Sequence, residues 1–205
     1  MVREDAHGRD NAGAYAFTNV SGAIGTLKEL ELLDSSHTVD EIRHYLNVRY
    51  ERRKEANPAV FEQVVASVYR DIGYKNVRVT GRSNDGGIDI VMEGPNDSLV
   101  GVQVKRYKDK IEAEQIRAFT GALLLKDMTS GIFLTTSDYT RGAKRTATVA
   151  GQKGYRIELV DAHAFYDALE IAQRALYSGA TDRTAPFPSA PMHRVDYKKV
   201  YLSRY

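Results

Sequence analysis

The chain has 205 residues and a formal net charge of +2, with 42% hydrophobic residues, 27% charged residues and no cysteine. That length suits one ordinary domain plus smaller attachments, and the composition excludes a disordered chain, a disulfide-stapled scaffold and any thiolate metal site. No apolar run approaches the ~20 residues a bilayer span requires, and the opening MVREDAHGRDNAG lacks the apolar stretch of a secretory signal, so a cytoplasmic protein is expected.

Residues 1–20 are rich in Gly, Asn and Asp without periodicity and read as an irregular arm. A short apolar stretch, Ile24 to Leu33, precedes a basic helix that should start at Thr38-Val39-Asp40-Glu41 and reach about Ala56. Thr38 and Glu41 have capping-box spacing. Together these make residues 1–56 an arm and small helical appendage, suited to packing or dimerisation, with half of a helix-turn-helix as the alternative. Asn57-Pro58 marks a restart, because Asn suits an N-cap and Pro suits a first helical position that needs no N–H donor. Phe61, Val64, Val65, Val68 and Ile72 recur at helical spacing, and Gly73 supplies the stop.

Val77 to Thr80, Ile88 to Glu93 and Leu99 to Lys105 then alternate as strands do, with Gly81 to Gly87 as a turn between the first two. From Ile111 the order becomes helix to Leu125, strand Gly131 to Thr135, helix from about Thr140 to Lys153, strand Arg156 to Val160 and helix Asp161 to Tyr177. Such alternation argues for parallel strands, so the domain over 57–177 is expected to hold a mixed sheet, an antiparallel meander followed by a parallel half. Beyond Ser178, Pro186, Pro188 and Pro191 space out a linker, and Tyr197, Tyr201 and Tyr205 lie four apart in a basic tail over 178–205.

The chemistry concentrates in one hairpin. If Gly94 to Ser98 is a five-residue loop, Glu93 faces Leu99, Val91 faces Gly101 and Asp89 faces Gln103, with Lys105 two positions on. Asp89, Gln103 and Lys105 then share one face, while Ile88, Ile90, Val102 and Val104 take the other. A carboxylate, an amide oxygen and an ammonium at that spacing suit phosphodiester hydrolysis, in which a hard cation polarises the phosphate and activates water. An amphipathic hairpin with an incidental Asp–Lys pair has the same spacing.

The motifs occur in a specific order: Phe61-Glu62, Gly73-Tyr74, Asp85-Gly86-Gly87-Ile88-Asp89, Val102-Gln103-Val104-Lys105-Arg106-Tyr107, then Gly131 to Ser137 and Ala143. Over about residues 57 to 172 this order resembles the catalytic domain of Mrr-type restriction endonucleases, in the PD-(D/E)xK nuclease superfamily. The resemblance implies an α/β fold, a restriction-endonuclease-like mixed β-sheet flanked by helices, here with an N-terminal helical appendage and an extended C-terminal tail. It also implies a Mg²⁺-dependent DNA endonuclease, with Mn²⁺ able to substitute, serving restriction or anti-phage defence. Asp89 matches the metal-binding aspartate, Gln103 the (D/E) position, Lys105 the lysine, and Glu62 an acidic residue that often completes the metal shell, although its place off the apolar stripe of its helix equally suits a plain solvent-facing Glu. Gln103 departs from the broad superfamily but agrees with the Mrr-type branch, leaving one negative charge fewer beside the cation.

Around that set, Thr135, Thr136 and Ser137 close a strand before a helix, where they could hold a phosphate or where Ser137 or Thr140 could simply cap. The resemblance places them near the active site, with Gln115 similarly disposed. Arg106 and Lys108, with Lys110 and Tyr107, are candidate DNA-backbone contacts. The five histidines are dispersed and receive no role. Cutting two strands with one site per chain implies a homodimer or higher homo-oligomer, and a larger protein partner is possible. The same core also serves structure-specific junction nucleases, and a non-cleaving DNA-binding or partner-docking module is the alternative of another class.

Overall fold

Thr38 opens the first helix, α1 (Val39–Val48), through the expected capping box: its hydroxyl accepts the Glu41 N–H at 3.3 Å, and the Glu41 carboxylate accepts the Thr38 N–H at 2.8 Å. The computed structural model describes residues 32, 37–80, 86–94 and 97–177, so the arm, Ile24 to Leu33 except Leu32, Asn84-Asp85, Pro95-Asn96 and the tail beyond 177 lie outside the described residues. The described residues belong to one unit, Leu32–Tyr205. Instead of running on to Ala56, α1 stops at Val48, and the chain continues as a 3-10 turn, Tyr50–Lys54. That break packs the Tyr50 ring against Tyr166, with centroids 4.8 Å apart, and sends the Arg53 Nε–H to the Thr136 carbonyl at 3.1 Å. The local run of basic residues announces neither contact.

Helix α2 (Pro58–Asp71) starts where expected, with the Asn57 side chain accepting the Ala59 N–H at 3.0 Å and Pro58 at the first position. It ends as Gly73 takes a φ of +103°, a left-handed conformation that favours glycine. Strands β1 (Lys75–Val79), β2 (Ile90–Glu93) and β3 (Leu99–Lys105) follow, then α3 (Ala113–Leu125), β4 (Ser130–Thr135), α4 (Arg141–Gln152), β5 (Arg156–Val160) and α5 (Ala162–Tyr177). The sheet order is β1-β2-β3-β4-β5, antiparallel in its first two pairings and parallel in its last two, as the strand–helix alternation implies. No helix among the described residues is long and apolar enough to cross a membrane.

Two apolar layers enclose this sheet. On one face Phe133 of β4 packs with Ile116, Phe119 and Leu123 of α3 and with Ala143 and Ala147 of α4. Phe119 meets Phe133 edge to face at 5.5 Å. On the other face α2 and α5 join through Phe61 and Phe165, with centroids 5.7 Å apart, and α1 packs on both helices. Buried Ile42, Tyr45 and Leu46 make that contact, and buried Arg43 ion-pairs with Asp71 of α2. The packed unit therefore begins before the restart at Asn57.

Close approach of α3 to the sheet depends on missing side chains. A Cβ on Gly131 would lie 2.7 Å from both Leu123 Cδ1 and Phe119 Cζ, well inside van der Waals contact. Gly121, inside α3, has no heavy atom within 4 Å of its Cβ position. Gly131→Ala is expected to destabilise the fold by roughly 1–3 kcal/mol through overpacking. Gly121→Ala should stabilise it by about 0.5–1 kcal/mol through helix propensity. Thermal or urea unfolding of the two variants measures both, and equal midpoints would contradict this packing.

Candidate active site

The β2–β3 ladder starts in the expected register, Glu93↔Leu99 through Met92↔Val100 and Val91↔Gly101 to Ile90↔Val102. One residue further it departs. The Asp89 N–H donates to the Val102 carbonyl at 2.8 Å, so Asp89 and Ile90 both address Val102, two residues against one. That is a β-bulge, a device that bends a strand and re-aims a side chain. The expected Asp89–Gln103 pairing gives way, and Asp89 Oδ2 instead accepts the Val104 N–H at 2.7 Å. Val104 stands between Gln103 and Lys105, so the acid is tied to the strand that carries the other two groups. The bulge also moves Ile88 off the face of Ile90 and Val102 that strict alternation assigns it. Ile88 lies in the α3–α4 cluster, its Cδ1 3.1 Å from where a Cβ on Gly101 would stand.

One residue holds the bulge, and the sequence does not single it out. Thr80, just past β1, donates its N–H to the Asp89 carbonyl at 2.9 Å and its hydroxyl to the Ile88 carbonyl at 2.7 Å. A threonine before Gly81 looks like an ordinary strand end, and only the fold brings it opposite Asp89. Gly87, with φ +88°, sits so close to Gln103 that a Cβ there would lie 3.0 Å from Nε2. The turn glycine thus serves close approach as well as chain reversal. Gln103 itself is 7% exposed, and Lys105, at the end of β3, is half-buried.

Glu62 comes from α2. Its side chain is half-buried, and burial, followed by the negative charge of Asp89, pushes its carboxyl above the usual range, while Lys105 and Arg106 pull it down. Glu62, off the main apolar stripe of its helix, therefore shares a field with Asp89, Lys105 and Arg106. The carboxylates of Asp89 and Glu62 and the amide oxygen of Gln103 are hard oxygen donors of low total charge. Among the described residues no group of three or more His, Cys, Asp or Glu side chains could hold a metal ion. A small cation that keeps several waters and takes one or two carboxylates fits such a set, whereas a closed nitrogen–sulfur cage does not.

The remaining sequence candidates are placed differently. Thr135 and Thr136 are fully buried, so their hydroxyls are not presented to a phosphate. Thr135 Oγ1 accepts the Ser137 N–H at 3.2 Å, the Thr136 hydroxyl donates to the Tyr107 carbonyl at 3.1 Å, and the Ser137 hydroxyl donates to the Lys108 carbonyl at 3.2 Å. They staple the loop after β3 to the end of β4. The cap of α4 is Thr140, whose hydroxyl oxygen accepts the Ala143 N–H at 3.2 Å. Gln115 Oε1 accepts the Glu112 N–H at 2.6 Å in a capping box at the start of α3. Arg106 is half-buried, and its Nη1 donates to the Lys54 carbonyl at 3.0 Å, which turns a candidate DNA contact into a latch on the 3-10 turn. Lys108 is exposed on the same loop.

A family model described as "Restriction endonuclease" (Mrr_cat) matches residues 53–169. A curated relative, the type IV methyl-directed restriction enzyme EcoKMrr of Escherichia coli (strain K12), is 33% identical over 96 residues, covering 44% of this chain and 32% of that protein. The chain thus spans about a third of the length of the curated relative it matches. Two solved structures are similar at lower identity. The ATP-dependent Type ISP restriction-modification enzyme LlaBIII bound to DNA shares 22% identity over 62% of this chain and 8% of that one, with a TM-score of 0.42. The DNA modification-dependent restriction endonuclease AspBHI shares 17% over 90% of this chain and 45% of that one, with a TM-score of 0.45. The matched segment runs from the 3-10 turn into α5 and contains the bulged hairpin and Glu62 of α2, and the chain belongs to the Mrr-type restriction endonuclease catalytic-domain family.

Proposed function

We propose that this chain is a Mg²⁺-dependent endodeoxyribonuclease that hydrolyses DNA phosphodiester bonds in restriction of foreign or modified DNA. The observation that carries the reading is the bulge, which anchors the Asp89 carboxylate on the Val104 N–H, between the strand positions of Gln103 and Lys105. Asp89 and Glu62 would hold the cation, with Gln103 adding its carbonyl oxygen. When bound, Mg²⁺ supplies a Lewis acid for the phosphate oxygen and lowers the pKa of an attacking water. Lys105 orients that water or offsets the charge that develops on the phosphorane. Gly87 keeps the amide nitrogen side of Gln103 against backbone. Arg106 tempers the Glu62 carboxyl while holding the loop, and exposed Lys108, with the Ser137 hydroxyl nearby, suits contact with a DNA backbone.

Plasmid incubated with Mg²⁺ or Mn²⁺ tests the reading. Wild type is expected to cut, and Asp89→Asn and Lys105→Ala to lose activity by about 10²–10³-fold or more, the cost of removing one electrostatic stabiliser. Unchanged cleavage in both variants would sink the assignment. Gln103→Glu restores a negative charge, so its half-maximal Mg²⁺ concentration should fall below that of wild type. Gly87→Ala, which crowds Gln103, should raise it.

Glu62 links the site to stability. Because its folded-state carboxyl is raised above the ordinary 4.5, the folded chain holds that proton more tightly than the unfolded chain. Stability from this group is present below 4.5 and is lost as pH rises through the folded value. Metal-free Glu62→Gln is therefore expected to match or exceed wild type in melting temperature at neutral pH, with the gap closing at low pH. Its Mg²⁺-induced rise in melting temperature should be smaller than that of wild type. A lower metal-free melting temperature with an undiminished metal response would contradict both the strain and the ligand role.

A further inference from the structure

Away from the candidate site, the outer faces of α3 and α4 enclose an open groove of about 440 Å³. Leu124, Val149, Ala150 and the Tyr155 ring make its apolar floor, and Arg117, Arg145 and Lys153 stand along it. All three cations are exposed, and none takes part in an ion pair among the described residues, whereas Lys144 on the same helix α4 is paired with Asp138 at 3.5 Å. Leu124 is 55% exposed, Val149 40% and the neighbouring Leu125 85%, three of the six exposed large apolar side chains among the described residues. Apolar surface gathered in this way marks an interaction site rather than scatter. Gly121 leaves bare backbone beside it, with nothing within 4 Å of its Cβ position. From Arg145 to Lys153, the residue just past the end of α4, the lining runs for about 12 Å, roughly two helical turns.

We propose that this groove docks an acidic amphipathic helix of a partner protein. The apolar face of that helix would lie on Leu124 and Val149, and its Asp and Glu flanks would meet Arg117, Arg145 and Lys153. Charge complementarity selects the occupant. A second copy placed face to face by a two-fold axis would set these cations against themselves. Duplex DNA would satisfy the cations and leave the apolar floor uncovered. None of the groove residues belongs to the candidate active site, so the two can be tested separately.

The full chain is titrated against a fluorescein-labelled synthetic helix of about 20 residues with leucines at i, i+4 spacing flanked by glutamates. The same peptide with lysines in place of the glutamates, and an unlabelled DNA duplex as competitor, complete the set. Saturable binding of the glutamate peptide is expected, weakened by salt and by about tenfold or more in each of Arg145→Glu and Leu124→Asp, with no displacement by the duplex. Absence of binding, equal binding of the lysine peptide, or equal affinity in both variants overturns the proposal. So does displacement by DNA, which would make the groove a nucleic-acid surface, or self-association of wild type that Leu124→Asp abolishes.

Discussion

The candidate site depends on one backbone amide finding a side-chain partner. Past Ile90 the β2–β3 ladder no longer supplies one for the Val104 N–H, and the Asp89 carboxylate takes it. A buried donor left unpaired costs about 1–3 kcal/mol, so the fold has a structural reason to hold the acid there before any ligand arrives. The same bond fixes the acid relative to Gln103 and Lys105, because Val104 lies between them on a strand in the middle of the sheet. Thr80 adds the second restraint by fastening the Asp89 backbone from β1.

Support for this end of the sheet comes from segments distant in sequence. The 3-10 turn before α2 reaches the ends of two strands at once, Arg53 to the Thr136 carbonyl and Arg106 to the Lys54 carbonyl. Its own position is set by Tyr50, half-buried against Tyr166 of α5, and by the Arg53 guanidinium over the Tyr50 ring, 4.6 Å from its centroid. The loop after β3 is held along its length by the Thr136 and Ser137 hydroxyls. Residues that look like phosphate contacts in a one-dimensional reading thus serve as the frame that keeps Lys105 at the strand end.

Electrostatics at the site run against stability. Glu62 faces the charge of Asp89 in a half-buried setting, and Lys105 and Arg106 offset it only in part. A cation-binding arrangement requires such crowding, since the oxygens that share an ion must repel one another without it. A glutamine where a third carboxylate could stand limits that repulsion. Under the proposed function it also shifts more of the metal's coordination onto water and substrate oxygens.

Much of the architecture was legible in the chain itself, because hydrophobic period and capping chemistry are local. Asn57-Pro58 and Gly73 bracket α2, β3 and β5 fall where alternation puts them, and the strand–helix order announces a parallel half-sheet. The hairpin register followed from loop length as far as Ile90↔Val102, and the set of candidate residues followed from motif order. What the chain could not disclose were effects of contact between distant segments. The bulge at Asp89 is invisible to a strict two-residue period, because an inserted residue breaks that period only where a partner strand defines it. The end of α1 at Val48 depends on Tyr166, the burial of Thr135 and Thr136 on the layers above and below the sheet, and the role of Gly87 on Gln103 sixteen residues away. Local sequence supplied the candidate residues, and tertiary packing decided where their atoms point, since direction is set by neighbours that the linear order does not contain.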